Sequence, residues 1–109
     1  MITRKELYDT YRSIYGSLFR HNRNSANILS RVSRQLDKYP LPYKLDNKWP
    51  YHLIIYCNNW RLSVYAEGMD RVIEICPLKL DGSPYSNRYE KSFLTPKGAV
   101  NYILKRYGG

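Results

Sequence analysis

The chain is 109 residues long and carries eighteen Lys and Arg against nine Asp and Glu, a formal net charge of +9. A hydrophobic fraction of 43% and twelve tyrosines supply the apolar surface a core needs and argue against a disordered polyelectrolyte. The length predicts one domain over 1–109, and the longest apolar run, Leu53 to Cys57, fits a strand rather than a membrane span.

Thr3-Arg4-Lys5-Glu6 has the form of a capping box, in which the Thr3 hydroxyl accepts an early helical N–H and Glu6 reaches back. Ile2 and Leu7 are spaced as a hydrophobic staple across that cap. Leu7, Tyr11, Ile14 and Leu18 then recur at steps of four and three, widened by Tyr8, Tyr15 and Phe19, while Arg4, Asp9 and Arg12 take the outer side. The polar stretch Arg20 to Asn24 interrupts this stripe. Asn24 or Ser25 is placed to cap a second helix, with Ile28, Leu29, Val32 and Leu36 as its apolar face. Pro40 and Pro42 stop helical structure near Tyr39, and a connector follows to Trp49-Pro50, ordered by Leu41, Tyr43, Leu45 and Trp49.

The centre reads as a β-meander whose register can be derived. An Asn58-Asn59 hairpin turn sets Cys57 opposite Trp60, Ile55 opposite Leu62 and Leu53 opposite Val64. A second turn at Gly68-Met69, glycine first, sets Val64 opposite Ile73 and Leu62 opposite Ile75. Both turns give the same apolar face. The opposite face then carries His52, Ile54, Tyr56, Arg61, Ser63, Tyr65, Val72 and Glu74, with Tyr56 opposite Arg61 and Tyr65 opposite Val72. Asp81-Gly82 signals a further turn, and Tyr85 to Phe93 a fourth strand or a loop. Thr95-Pro96 opens a last helix, cap then N1 proline, which buries Ala99, Val100, Ile103, Leu104 and Tyr107. The expected fold is α+β: two N-terminal helices, a three- to four-stranded antiparallel meander, and a C-terminal helix packed on the sheet.

From Arg12 to Arg34 there are five arginines and no carboxylate. Guanidinium forks bind phosphate oxygens in pairs, and tyrosine rings stack on bases. Arg12, Arg20, Arg23, Arg31, Arg34 and Lys38 are therefore expected to face a polyanion, with Tyr56, Arg61 and Tyr65 adding contacts from the sheet. The expected partner is nucleic acid, DNA or RNA, bound without catalysis. The alternative is an acidic surface of a host protein, with the chain acting as an inhibitor of a nucleic-acid enzyme or defence system. A small basic nuclease is a third reading. It would need His21 or His52 as acid or base, and nothing in the sequence brings a carboxylate to either.

No cofactor or metal is expected. Cys57 and Cys76 lack metal-ligand spacing, and the register sends Cys57 into the core and Cys76 to the other face, opposite Arg61, so both should be free thiols. Free thiols behind an N-terminus with no apolar leader suggest a cytoplasmic protein away from membranes. Frequent Tyr, Asn, Lys and Ile suit a bacteriophage or mobile element.

Over roughly Ser25 to Tyr107 the order of helix, three antiparallel strands and helix looks like the topology of double-stranded-RNA-binding domains. Their basic motif at the start of the last helix is replaced here by Thr95-Pro96-Lys97-Gly98-Ala99, with a single lysine. The stretch Ser92 to Ala99 after the sheet is also similar to integrase-arm and ethylene-response-factor DNA-binding domains. That resemblance implies an open sheet face that reads the major groove.

Overall fold

The computed structural model describes residues 2–15, 20–39, 41–46, 49–86 and 89–108, with side chains for all of these except 12–15 and 20–22. The elements are α1 (Arg4–Tyr15), α2 (Arg20–Leu36), β1 (Tyr43–Leu45), β2 (His52–Cys57), β3 (Trp60–Glu67), β4 (Val72–Leu78), β5 (Lys91–Phe93) and α3 (Pro96–Arg106). The five strands form one antiparallel sheet in chain order, and the fold is α+β with the helices N- and C-terminal to the sheet. Among the described residues no helix is long and apolar enough to cross a membrane.

Two of the three expected helix caps form. The Glu6 N–H donates to the Thr3 hydroxyl at 3.1 Å, and the Gly98 N–H to the Thr95 hydroxyl at 3.0 Å with Pro96 at N1. The start of α2 differs from expectation. Arg20 to Asn24 is not a loop capped at Asn24 or Ser25 but the opening of the helix, and Ser25 is buried within it. A polar run at a helix start has no apolar period to read, so it looks like an interruption.

The β2–β3 register is as derived: Leu53 faces Val64, Ile55 faces Leu62, Tyr56 faces Arg61 and Cys57 faces Trp60. Asn58 takes the left-handed conformation in that turn, at φ 48°. The next connection is not the expected two-residue turn. Gly68–Arg71 form a four-residue loop, and Arg71, not Gly68, has positive φ, at 54°. The pairing slides by two residues: Val64 faces Ile75, Leu62 faces Pro77, Tyr65 faces Glu74 rather than Val72, and Cys76 faces Ser63 rather than Arg61. A shift of two preserves which side each residue points to, so the derived apolar face survives. The fifth strand comes from the connector, where Tyr43–Leu45 pair with Leu53–Ile55 and make an edge.

All three helices cover that apolar face. α2 lies over β3, α3 lies against β4 and β5, and α1 packs beside α2. Leu53, Ile55, Leu62, Val64, Ile73 and Ile75 meet Leu7, Leu29, Val32, Leu36, Val100 and Ile103 in one core. Fully burying such side chains contributes about 1.5–3 kcal/mol each. Polar ties fix the helices in place. The buried Ser33 hydroxyl of α2 accepts from the Ile2 N–H at 3.1 Å, pinning the chain ahead of α1. The Asn58 amide donates to the Tyr107 carbonyl at 3.2 Å, tying the first hairpin to the end of α3. Cys57 is buried in the core and Cys76 is half-buried on the far side of the sheet, so the two free thiols are separated by it.

Candidate nucleic-acid interface

The candidate residues fall on two surfaces that the fold keeps apart. Arg23, Arg31 and Arg34 are exposed on the outer side of α2, and Lys38 is exposed in the turn that follows it. At 3.6 residues per turn the three arginines lie within about a quarter of the helix circumference. The buried stripe of Ala26, Leu29, Val32, Ser33 and Leu36 occupies the opposite side. Tyr56, Arg61 and Tyr65 lie beyond the sheet, on the face no helix covers. The side chains of Arg12 and Arg20 lie outside the described residues.

Where α1 meets α2, Arg4, Lys5, Tyr8 and Arg23 line a cleft of about 460 Å³. Arg23 Nε donates to the Tyr8 hydroxyl at 3.3 Å, and its guanidinium carbon is 6.0 Å from the Tyr8 ring centre. Arg4, Lys5 and Tyr8 were not among the residues expected in the site. The one available signal was their i, i+1, i+4 spacing beside an arginine-rich segment, and only helix packing makes it a cleft. Lys5 is held by Asp9 at 2.8 Å, which raises the lysine above its ordinary pKa, chiefly through that hydrogen bond. Near the end of α2 the Asp37 carboxylate accepts from the Tyr43 hydroxyl at 2.7 Å.

The open face is a groove of about 970 Å³. Its three cross-strand rows follow from the register: Tyr56–Arg61–Leu78, then Lys44–Ile54–Ser63–Cys76, then His52–Tyr65–Glu74. Tyr56 is not a bare stacking platform. The Arg61 guanidinium lies 4.6 Å from its ring centre and the Lys44 ammonium 5.8 Å. Among the described residues, three cations line the groove (Lys44, Arg61, Lys79) against four carboxylates (Asp46, Glu74, Asp81, Glu90). The described residues of the sheet face therefore carry no cation surplus.

The chemistry of this face was partly invisible in the sequence. His52 Nδ1 and Ser63 Oγ are 2.9 Å apart, and the His52 and Tyr65 ring centres 4.5 Å. Contrary to expectation, a carboxylate does act on His52. Burial pushes the imidazole below its ordinary pKa, and the field of Asp46 opposes that in part. A serine beside a histidine invites a nucleophile–base reading. Acyl transfer also requires donors converging on an oxyanion, and the β2 and β3 amides are committed to the sheet ladder. Burial first, then Glu90 and Glu74, holds the Cys76 thiol above its ordinary pKa, which disfavours the thiolate. Among the described residues no group of three His, Cys, Asp or Glu could hold a metal ion.

The charge follows the same division. Residues 1–39 and 96–109, which carry the helices, hold eleven of the eighteen cations and three of the nine carboxylates; residues 40–95 hold seven and six. The helix-bearing segments thus carry a net +8 and the sheet-bearing segment +1. Comparison with known proteins finds no matching family model, no matching curated protein and no matching solved structure.

Proposed function

We propose that this protein binds nucleic acid without catalysing a reaction on it, and that it does so through the outer face of its helical layer. The observation that carries this is the segregation of charge: eleven cations against three carboxylates on the helix-bearing segments. Arg23, Arg31 and Arg34 share one exposed side of α2, Lys38 is exposed in the turn after it, and the Arg4–Lys5–Tyr8–Arg23 cleft opens beside them. A ridge of guanidinium and ammonium groups flanked by a basic cleft suits phosphates along a strand or duplex. The sheet residues Tyr56, Arg61 and Tyr65 are secondary in this reading, because among the described residues of their face cations and carboxylates offset one another.

Fluorescence anisotropy with labelled single-stranded and duplex DNA and RNA, titrated with salt, tests it. Affinity should fall linearly on a log–log plot, with a slope of about −0.9 per neutralised phosphate on duplex DNA. Replacing Arg23, Arg31 and Arg34 together with Ala should flatten that slope by up to about 0.9 for each phosphate no longer neutralised. The thermal midpoint should barely move, since exposed charges contribute little to folding. Failure of the wild-type protein to bind any probe at low salt overturns the nucleic-acid reading. The same basic face against an acidic protein surface then becomes the reading to pursue.

A further inference from the structure

The uncovered sheet face has features that nucleic-acid binding by the helices does not use. Its middle is aromatic and aliphatic, with Ile54, Tyr65 and Leu78 half-buried on it. Large apolar side chains stand at both ends. Leu80 is fully exposed beyond the Tyr56–Arg61–Leu78 row, and Trp49 is more than half exposed at the other end, ahead of His52. Monomeric proteins rarely leave such a face uncovered.

The charges on it are sorted in space. Lys44 and Arg61 flank Tyr56 at one corner. Glu74 sits in the far row opposite Tyr65, Asp46 lies against His52, and Glu90 acts on Cys76 beside β4. Lys79 and Asp81, of opposite sign, belong to one turn, where the Asp81 carboxylate accepts from the Ser83 N–H and hydroxyl. The described residues of the face thus form a cationic corner and an acidic side.

We propose that this face binds a second copy of the same chain, as a two-fold symmetric dimer. In such a dimer the same patch meets itself. A two-fold axis lying in the interface, perpendicular to the charge separation, sets the Lys44–Arg61 corner of each copy against the Glu74–Glu90 side of the other. Opposite charges then meet twice, and the apolar centres are covered between them. Long-range repulsion favours this arrangement over any other pairing of two +9 chains. The basic helical layers end up on the two outer surfaces. Sheets pack about 10 Å apart, and a helix adds about 10 Å on each side, so these layers lie roughly 30 Å from one another. That is several times the Debye length of about 8–10 Å at moderate salt. The dimer would present two phosphate-binding surfaces facing opposite ways.

Sedimentation and light scattering on the wild-type protein, from micromolar to millimolar concentration, should show a concentration-dependent rise to twice the chain mass of 13.0 kDa. Arg61→Glu and Glu74→Arg should each hold the protein at monomer mass, because each sets like charges across the interface twice. Both side chains are exposed, so circular dichroism and thermal midpoints should match the wild type. Mixing the two variants should restore the dimer mass. The carboxylate introduced at position 61 of one copy then meets the guanidinium introduced at position 74 of the other, and the native Arg61–Glu74 pair forms once. A wild-type protein that stays monomeric throughout overturns the proposal and leaves the groove to a ligand or another protein. A dimer that persists in both variants, or monomeric variants that fail to combine, overturns it equally.

Discussion

The helical layer and the open sheet face are built from similar residues and do opposite things with them. On α2, arginines project into solvent from a helix whose other side is buried, so their charges add. On the sheet, Lys44 and Arg61 lie over Tyr56 and share a groove with four carboxylates, so the charges offset. Tyrosine follows the same division. Tyr8 supplies a hydroxyl to a basic cleft, whereas Tyr56 and Tyr65 are engaged by neighbours of their own face. Composition alone reports a surplus of cations and a wealth of aromatics. Only placement shows that the cation surplus lies on the helix-bearing segments, while the charges of the described sheet face offset.

The most damaging way to break this contrast is to remove the core that keeps the sides apart. Leu62, fully buried between Ile55 and Pro77, should cost about 2–5 kcal/mol as Leu62→Ala in urea unfolding. Ser63→Ala, one residue on, removes only the hydrogen bond to His52 and should cost about 1 kcal/mol. Equal costs would show that the alternation of the sheet is misassigned.

Charge reversals compare the two sides directly. Arg31→Glu should weaken binding to DNA or RNA and flatten the salt dependence, by about 0.9 in slope if one phosphate fewer is neutralised. Lys79→Glu makes the same change of charge in the groove and should alter the slope far less. If the two variants behave alike, binding responds to net charge and not to the helical face.

Acidification separates the sides by another route. His52 has a folded-state pKa below its unfolded value because burial disfavours the imidazolium. Between those two values the unfolded chain binds more protons, so stability rises with pH there. Its contribution is complete above the ordinary histidine value of about 6.5 and is lost as pH falls through the lower folded pKa. Urea midpoints measured from pH 7.5 downward should therefore fall less steeply in His52→Asn than in the wild type. Arginine-mediated binding should be flat over the same range. The smallest expected effect is at Asp9. Asp9→Asn releases Lys5 into the cleft, and binding should strengthen modestly at low salt, with a slightly steeper salt slope.

The parts of the fold legible in the sequence are those with local chemical signatures. Thr3 and Thr95 act as caps because a hydroxyl before a helix has one obvious use. The β2–β3 register follows from a two-residue asparagine turn. Less legible were features that alternation cannot see. Sliding β4 by two residues leaves every side chain on its side, so the apolar pattern could not distinguish Val64–Ile73 from Val64–Ile75. Tyr43–Leu45, directly after a proline, are too short to show a period, and with β1 missed the position of Lys44 beside Tyr56 was missed too. For the site, the arginine run was visible along α2. That the helices leave the second sheet face uncovered depends on three-dimensional packing, which no spacing encodes.

The brevity of the outer strands has a consequence for how the protein behaves when crowded. β1 and β5 are three residues each; the chain enters β1 through Pro42, which has no N–H to offer, and β5 begins with Lys91. Exposed edges seed fibres by recruiting further strands, and long, flat, uncharged edges do so best. Here either end of the ladder offers a newcomer few hydrogen bonds, with a proline at one end and a lysine at the other. Concentrated solutions should accordingly reach a finite assembly and remain clear, without the lag and growth of amyloid.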